Sequence, residues 1–248
     1  MTDLTYIIIP CFNEERRIDV SQIGELVAAR NHLILVDDGS TDGTLAKLNS
    51  IASTFCTENE SMITVLPLVS NVGKAEAVRQ GLLLAVQEGA VIAGYLDADF
   101  ATPSIEMLRM IQMFKQHPDK IVLLAARWAH LGASIERHRF RHYGGRLFAT
   151  LASILLDMSV YDTQCGAKLF RVNTQLALAL DSMFISKWAF DVELIGRLRH
   201  HFSEDVFLEI PLKVWVDVPG SKIGFLDMIQ ATAELIQIWL ALRKRKRA

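Results

Sequence analysis

Through the first half of the chain, short apolar runs rich in β-branched residues alternate with longer segments in which apolar positions recur every three to four residues. Tyr6 to Ile9, Leu33 to Val36, Ile63 to Leu66, Val91 to Leu96 and Ile121 to Leu124 have the length and composition of buried strands. Between them, Glu14 to Arg30, Gly43 to Phe55, Lys74 to Glu88 and Ser104 to Gln116 carry helical periodicity. This alternation predicts an α/β fold, with an open, mostly parallel central sheet covered by helices on both faces. In such sheets ligands gather outside the carboxyl ends of the strands.

The pattern changes after Arg127. An Arg-rich helix leads into the apolar run Leu147 to Leu156, expected as a buried helix segment. A loop from Asp162 to Lys168, a helix near Ala189 to Phe202 and a strand near Val206 to Val216 follow. Ile223 to Leu242 is a longer apolar stretch broken by Asp227 and Glu234. Asp227, Gln230, Glu234, Gln237, the small Ala241 and Lys244 succeed one another at helical spacing, so one narrow polar stripe runs along an otherwise apolar helix. No linker or repeat divides the chain, which reads as one domain over residues 1–224 with an amphipathic, basic C-terminal tail over 225–248. Inserting an acidic residue at a bilayer centre costs about 2.5 to 3.5 kcal/mol. The tail is therefore expected to lie on a membrane surface rather than cross it; the rival reading is a helix that forms a homodimer.

Composition sharpens this picture. A chain of 248 residues can bury a full core, and 22% charged residues is too many for a polytopic membrane protein and too evenly mixed for disorder. A mean hydropathy of +0.25 is nevertheless high for a soluble protein, which turns attention to the tail. The net charge of -2 argues against nucleic acid as a partner, but it is a sum of unequal parts. Arg127 to Arg146 holds five Arg against one Glu, and Arg243 to Arg247 is an unbroken cationic run, so the remainder is strongly acidic. Cys11, Cys56 and Cys165 fit neither a zinc spacing nor a disulfide framework. With no secretory signal pattern at the N-terminus, a cytoplasmic location is expected.

The polar residues that follow the strands carry the chemistry. They are Pro10-Cys11-Phe12-Asn13-Glu14-Glu15, Asp37-Asp38-Gly39-Ser40-Thr41-Asp42-Gly43-Thr44, Asn71-Val72-Gly73-Lys74 and Asp97-Ala98-Asp99. Each alone has a turn or capping explanation; all four at one sheet edge do not. Asp97 and Asp99 flank a small residue and suit a hard divalent cation, Mg2+ or Mn2+, whose shell would be completed by water and phosphate oxygens. Such an ion neutralises a diphosphate leaving group. Asp38 and Glu14 are acceptors suited to a base imide or ribose hydroxyls, and Lys74 at a helix start could reach phosphate.

These four motifs resemble those of the family 2 glycosyltransferases, which have the GT-A fold, use a nucleotide-sugar donor and a divalent metal, and invert the anomeric centre. Further motifs narrow the resemblance: Tyr161-Asp162-Thr163-Gln164-Cys165-Gly166-Ala167-Lys168, Trp188-Ala189-Phe190-Asp191-Val192-Glu193, Glu209-Ile210-Pro211 and Pro219-Gly220-Ser221-Lys222. They are similar to those of the dolichyl-phosphate β-glucosyltransferases and, less closely, the mannosyltransferases. The resemblance implies donor binding by Pro10, Phe12, Glu14, Asp38, Asp97 and Ala98, to which the residue reading adds Lys74, and metal binding by Asp99 with Asp97. It implies anion contacts from Arg127 and Lys222. Ala101 stands where the mannosyltransferases offer the metal a Gln, so Asp97 is expected to act through water or directly, with weaker metal affinity; Trp215 to Val218 lack the Arg that they carry there, which favours the glucosyl branch, and so UDP-glucose over GDP-mannose as donor. The N-terminal anchor of the eukaryotic glucosyltransferases and the C-terminal spans of many bacterial relatives are not expected here.

The acceptor class decides the mechanism. A sugar hydroxyl needs a general base, whereas a polyprenyl monophosphate is largely a dianion at neutral pH and attacks C1 of the sugar directly. The second case calls for cations that hold one anion against another. Arg127 and Arg141 are the preferred pair, with Gln164 beside them on the acceptor side. Asp162 is the base if the acceptor is a soluble sugar or glycan hydroxyl, and otherwise shapes its loop. A non-catalytic nucleotide-sugar binding protein is the third reading, disfavoured by the intact Asp97 and Asp99. Asp191 and Glu193, two apart on a helix, cannot share a face, so one is expected to reach the sugar or a backbone amide and the other to lie outside the chemistry. Cys165 reads as a small buried residue. His130, His138 and His142 lie in an Arg-rich segment that would repel a metal, and Trp188 alone of the tryptophans is a candidate to stack on sugar.

Overall fold

The computed structural model describes residues 4–56, 62–135, 139–216 and 225–245; within the helices, the side chains of 139–144 and 225–232 are not described. Seven strands form one sheet: β1 (Thr5–Cys11), β2 (His32–Asp37), β3 (Ile63–Pro67), β4 (Ile92–Leu96), β5 (Val122–Ala126), β7 (Ala167–Arg171) and β8 (Phe207–Pro211). Their spatial order is β3-β2-β1-β4-β7-β5-β8. All neighbours run parallel except β7, which is antiparallel to both β4 and β5. Two short strands, β6 (Ser134–Ile135) and β9 (Val214–Trp215), pair separately.

Because side chains alternate across a strand, each strand feeds two cores. Ile8, Ile34, Val36, Ala93, Tyr95 and Phe170 face one layer, which includes α3 (Lys74–Gln87), α5 (Arg139–Leu156) and α7 (Phe190–Arg199). Ile7, Ile9, Leu33, Leu35, Leu96 and Leu169 face the other, which includes α1 (Val20–Ala28), α2 (Thr44–Thr54) and α4 (Ser104–Gln116). The chain winds from β1 outward to β3, then crosses back to place β4 on the other side of β1. The carboxyl ends of β1 and β4 therefore flank the point where the strand order reverses, where an open α/β sheet leaves a crevice.

Several expectations are corrected. The first helix begins at Val20, not Glu14, because Asp19 caps it through Ser21 N and Gln22 N, while residues 14–17 form a turn. The Asp162 to Lys168 segment is not all loop, since β7 starts at Ala167 and places the fully buried Lys168 inside the sheet. The strand expected over Val206 to Val216 is broken after Pro211. The run Leu147 to Leu156 is helical but only half buried: Phe148, Ala149, Ala152 and Leu156 face inward, whereas Leu147 and Ile154 are exposed. A short helix, α6 (Thr174–Ala179), precedes α7.

The tail helix, α8 (Phe225–Arg245), packs against α5 and α7 with Leu235 and Ile238 buried. Glu234 turns toward the body, where it accepts hydrogen bonds from Ser186 Oγ and from Ala189 N. Ile236 and Leu240 remain exposed. Among the described residues no helix is long and apolar enough to cross a membrane.

Candidate active site

A cleft of about 210 Å³ opens at the β1/β4 crevice, lined by Pro10, Cys11, Phe12, Glu14, Asp38, Lys74, Asp97, Ala98 and Asp99. Seven of the eight residues expected on the donor side thus line one cleft; the eighth, Lys222, lies outside the described residues. Phe12 stands half exposed at the mouth.

The loops around the cleft hold one another. Asn13, in left-handed backbone at φ 54°, accepts from Thr41 N at 2.9 Å, and its own N–H donates to Ser40 Oγ at 3.0 Å. The Glu14 N–H donates to Thr44 Oγ1 at 2.8 Å, and its carboxylate takes both Nε and Nη2 of Arg17 at 2.9 and 2.6 Å. Asp38 accepts from Val72 N at 2.8 Å and Gly73 N at 2.9 Å, which fixes the turn into α3. Gly73 adopts φ 97°, a conformation that side chains rarely tolerate, and so delivers Lys74 to the cleft. Burial pushes the carboxyls of Asp38 and Glu14 up; the two loop amides oppose this at Asp38, and Arg17 opposes it at Glu14.

Asp97 and Asp99 leave the end of β4 on either side of Ala98. The Asp97 Oδ1 atom meets Lys74 Nζ at 2.6 Å, and Asp99 Oδ1 accepts from Ala101 N at 3.0 Å. Burial, and then the charge of Asp97, push the Asp99 carboxyl up. Burial alone would lower the Lys74 ammonium, but Asp97 and Asp191 outweigh it and hold it protonated. A half-buried pair of carboxylates with hard oxygen donors suits a divalent cation that draws its other ligands from water and phosphate. Asp99 offers the freer carboxylate, since Lys74 already occupies one oxygen of Asp97. Among the described residues no group of three or more His, Cys, Asp or Glu could ligate a metal, so the protein's share would be this pair.

Beside Asp97 runs the Asp162–Gly166 loop. The Asp97 N–H donates to Gly166 O at 3.0 Å, and a Cβ on Gly166 would fall 2.1 Å from Asp97 Oδ2. The motif glycine is therefore needed for contact with the carboxylate. Arg127, immediately after β5, grips Asp162 through Nε at 2.7 Å, Nη2 at 2.8 Å and its backbone N at 3.1 Å. Despite burial, which alone would lower it, the Arg127 guanidinium is held firmly protonated by Asp162. Gln164 follows, with its N–H on Asp162 Oδ1 at 3.1 Å and its buried Nε2 lacking a protein partner among the described residues. An orphaned buried amide costs about 1 to 3 kcal/mol and is a common mark of a ligand site. Arg141 lies in α5, but its side chain is not among those described; Arg137 and His138 lie outside the described residues altogether.

Some groups here escaped the sequence reading. Lys168 Nζ sits 2.6 Å from Asp191 Oδ1 and donates to Cys165 O at 2.7 Å, while Tyr95 OH bonds the same Asp191. This buried trio ties α7 to the back of the Gln164–Gly166 loop. Glu193 is the partner that takes backbone amides, from Ile185 at 2.8 Å and Ser186 at 3.3 Å. Glu209, on β8, accepts from Tyr161 N and Asp162 N. Cys165 is fully buried, as expected. Trp188 packs edge-on against Phe148, with about a third of its surface open.

Comparison with known proteins agrees with this geometry. The family model described as Glycosyl transferase family 2 matches residues 6–174. A dolichyl-phosphate beta-glucosyltransferase of Drosophila melanogaster is 31% identical across 94% of this chain and 74% of its own length. Its counterpart in Mus musculus gives the same figures, and that of Saccharomyces cerevisiae is 30% identical across 95% of this chain and 74% of its own. The chain belongs to family 2 of the glycosyltransferases, has the GT-A type of α/β sheet, and is an enzyme of that class.

Proposed function

We propose that this enzyme transfers a hexose, glucose from UDP-glucose, to a polyprenyl or dolichyl phosphate, with inversion at the anomeric carbon. The names of the relatives support the substrate class. The observation that carries the mechanism is the Arg127–Asp162 pair. Both carboxylate oxygens of Asp162 accept hydrogen bonds from one guanidinium, so Asp162 is poorly placed to take a proton from a sugar hydroxyl. A phosphate dianion has no proton to lose, and it needs the cation that Asp162 holds in place. Nε, Nη2 and the backbone N of Arg127 bond Asp162, and Nη1 makes no hydrogen bond among the described residues. The acceptor oxygen attacks C1 as the nucleoside diphosphate leaves.

On the donor side, Asp38 and Glu14 line the nucleoside end of the cleft and Lys74 the diphosphate end. Asp99 and Asp97 would hold magnesium or manganese, which when bound neutralises the departing diphosphate. Lys222 and Arg141 belong to this reading as further anion contacts. The tail supports work at the cytoplasmic face of a membrane: Ile236 and Leu240 are exposed on α8, which ends in Arg243, Lys244 and Arg245.

Incubating the protein with labelled UDP-glucose or GDP-mannose, magnesium and a polyprenyl phosphate tests the activity. Label in the organic phase is expected with UDP-glucose; none with either donor refutes the proposal. Arg127→Ala is expected to reduce transfer more than Asp162→Asn. The reverse order, with transfer to a soluble glycan, would favour a hydroxyl acceptor with Asp162 as base.

A further inference from the structure

The setting of Glu209 is unusual. It lies in β8 at the edge of the main sheet, opposite Leu124 of β5 and so close to Arg127 at the end of that strand. Its carboxylate is partly buried, and no Lys or Arg pairs with it among the described residues. It bonds instead to two successive amides: Tyr161 N at 2.8 Å from Oε2 and 3.1 Å from Oε1, and Asp162 N at 2.7 Å from Oε1. Burying a carboxylate without an ion pair is unfavourable, and the charge of Lys168 offsets this only in part. What a carboxylate supplies here is acceptor capacity on both oxygens, enough to hold two N–H groups of one turn at once.

That turn carries Asp162. With its amide fixed by Glu209, the Asp162 side chain can reach back to Nε, Nη2 and the backbone N of Arg127. The chain of contacts therefore runs from a strand, through a turn, to a carboxylate and a guanidinium. Tyr161 is braced in the same place: Arg146 covers its ring at 3.9 Å and donates to its carbonyl oxygen at 3.2 Å, and Trp128 stacks on it at 5.7 Å. We propose that Glu209 is a positioning residue, which sets the Asp162 carboxylate and through it the Arg127 guanidinium in the orientation that receives the acceptor. This rests on the reading of Arg127 as the acceptor's cation, but the mechanical part does not require it.

The test compares Glu209→Gln with wild type. A glutamine has only one acceptor oxygen and turns an NH2 toward the second amide. Calorimetric titration with UDP and magnesium is expected to give a Kd within about twofold of wild type, since the donor cleft lies at β1 and β4. The kcat/KM for polyprenyl phosphate is expected to fall about 10- to 100-fold, the scale of a misplaced catalytic group. Amide exchange at Tyr161 and Asp162, and exchange of the Arg127 Nε–H, are expected to accelerate. These last readouts need no substrate. If wild type transfers nothing to the lipid, the functional reading fails while the exchange data still judge the positioning role. Unchanged exchange together with unchanged acceptor kcat/KM would overturn the proposal, as would equal losses in donor and acceptor binding, which mark general damage. If Glu209→Gln does not fold, Glu209→Asp, which keeps both oxygens but draws them back, is expected to show the same split between donor and acceptor to a smaller degree.

Discussion

Gly166→Ala probes the site where two parts of the chain come closest. An added Cβ would lie 2.1 Å from Asp97 Oδ2, 2.2 Å from Cγ and 2.7 Å from Oδ1, where ordinary contact begins near 3.4 Å. The carboxylate must therefore retreat by more than 1 Å, or the loop must lift. The Gly166 backbone is tied to Asp97 N at 3.0 Å, and Lys168, two residues on, is locked in the sheet, so the carboxylate is the part that yields. Its 2.6 Å contact with Lys74 breaks, and the Asp97–Asp99 pair loses its geometry. A displacement of this size costs about 10²-fold in rate, whereas overpacking of one methyl costs about 1 to 3 kcal/mol in stability. The two effects are separated by a control. Gly89→Ala has nothing within 4 Å of its Cβ but is strained by φ +80°, so it should lose about 1 to 2 kcal/mol and keep its rate. Initial rates at saturating donor, measured well below both melting temperatures, decide the matter. If Gly166→Ala retains more than about a third of wild-type turnover, the contact with Asp97 does not set the geometry of the site.

Other expectations follow from the same contacts. Burial, and then the charge of Asp97, raise the Asp99 carboxyl, so as pH climbs from the ordinary carboxylate value toward the raised one the native state binds more proton than the unfolded chain and stability declines across that window. Asp99→Asn should then raise the melting temperature of the metal-free protein at pH 7 by about 2 to 4 °C, for about 1 kcal/mol, while transfer is lost; a lower melting temperature would contradict this. Lys168→Met strands the Asp191 carboxylate and should cost about 3 to 5 kcal/mol in urea unfolding, with much of it regained in the double variant Lys168→Met/Asp191→Leu. A double variant no more stable than the single one would show that the pair is not the source of the loss. Ile238→Asp places a charge in the seam between α8 and the body and should cost more than about 4 kcal/mol.

The sequence reading was strongest where period and position coincide. The five early strands are each found within two residues of their expected ends, because fully buried parallel strands are continuous apolar runs. The residues that line the cleft are legible because this topology puts every strand-end motif on one edge. β7 is hidden in the sequence because a buried lysine in Ala167–Arg171 looks polar until it meets Asp191, 23 residues later. The start of α1 is hidden in the sequence because the helical pattern extends back past Asp19, and only the capping bonds mark the boundary. Glu209 was visible as part of a motif, but its role depends on a turn nearly fifty residues away, which no local pattern reports.

The seating of α8 changes how the tail should be studied. Its inner face supplies Leu235 and Ile238 to the same core as Phe148 and Phe190, and Glu234 fastens the Ser186–Ala189 turn that leads into α7. Arg245 reaches Asp181 and Ser182, at the start of the same connection between α6 and α7. A truncation at residue 225 would therefore uncover an apolar trench and release a loop whose Lys187 side chain lies over Gly73, next to Lys74 in the lining of the cleft. Lost vesicle binding after such a cut could not be told from partial unfolding. Charge reversals at Arg243 and Lys244, which stand outside the seam, would ask the membrane question without dismantling the enzyme.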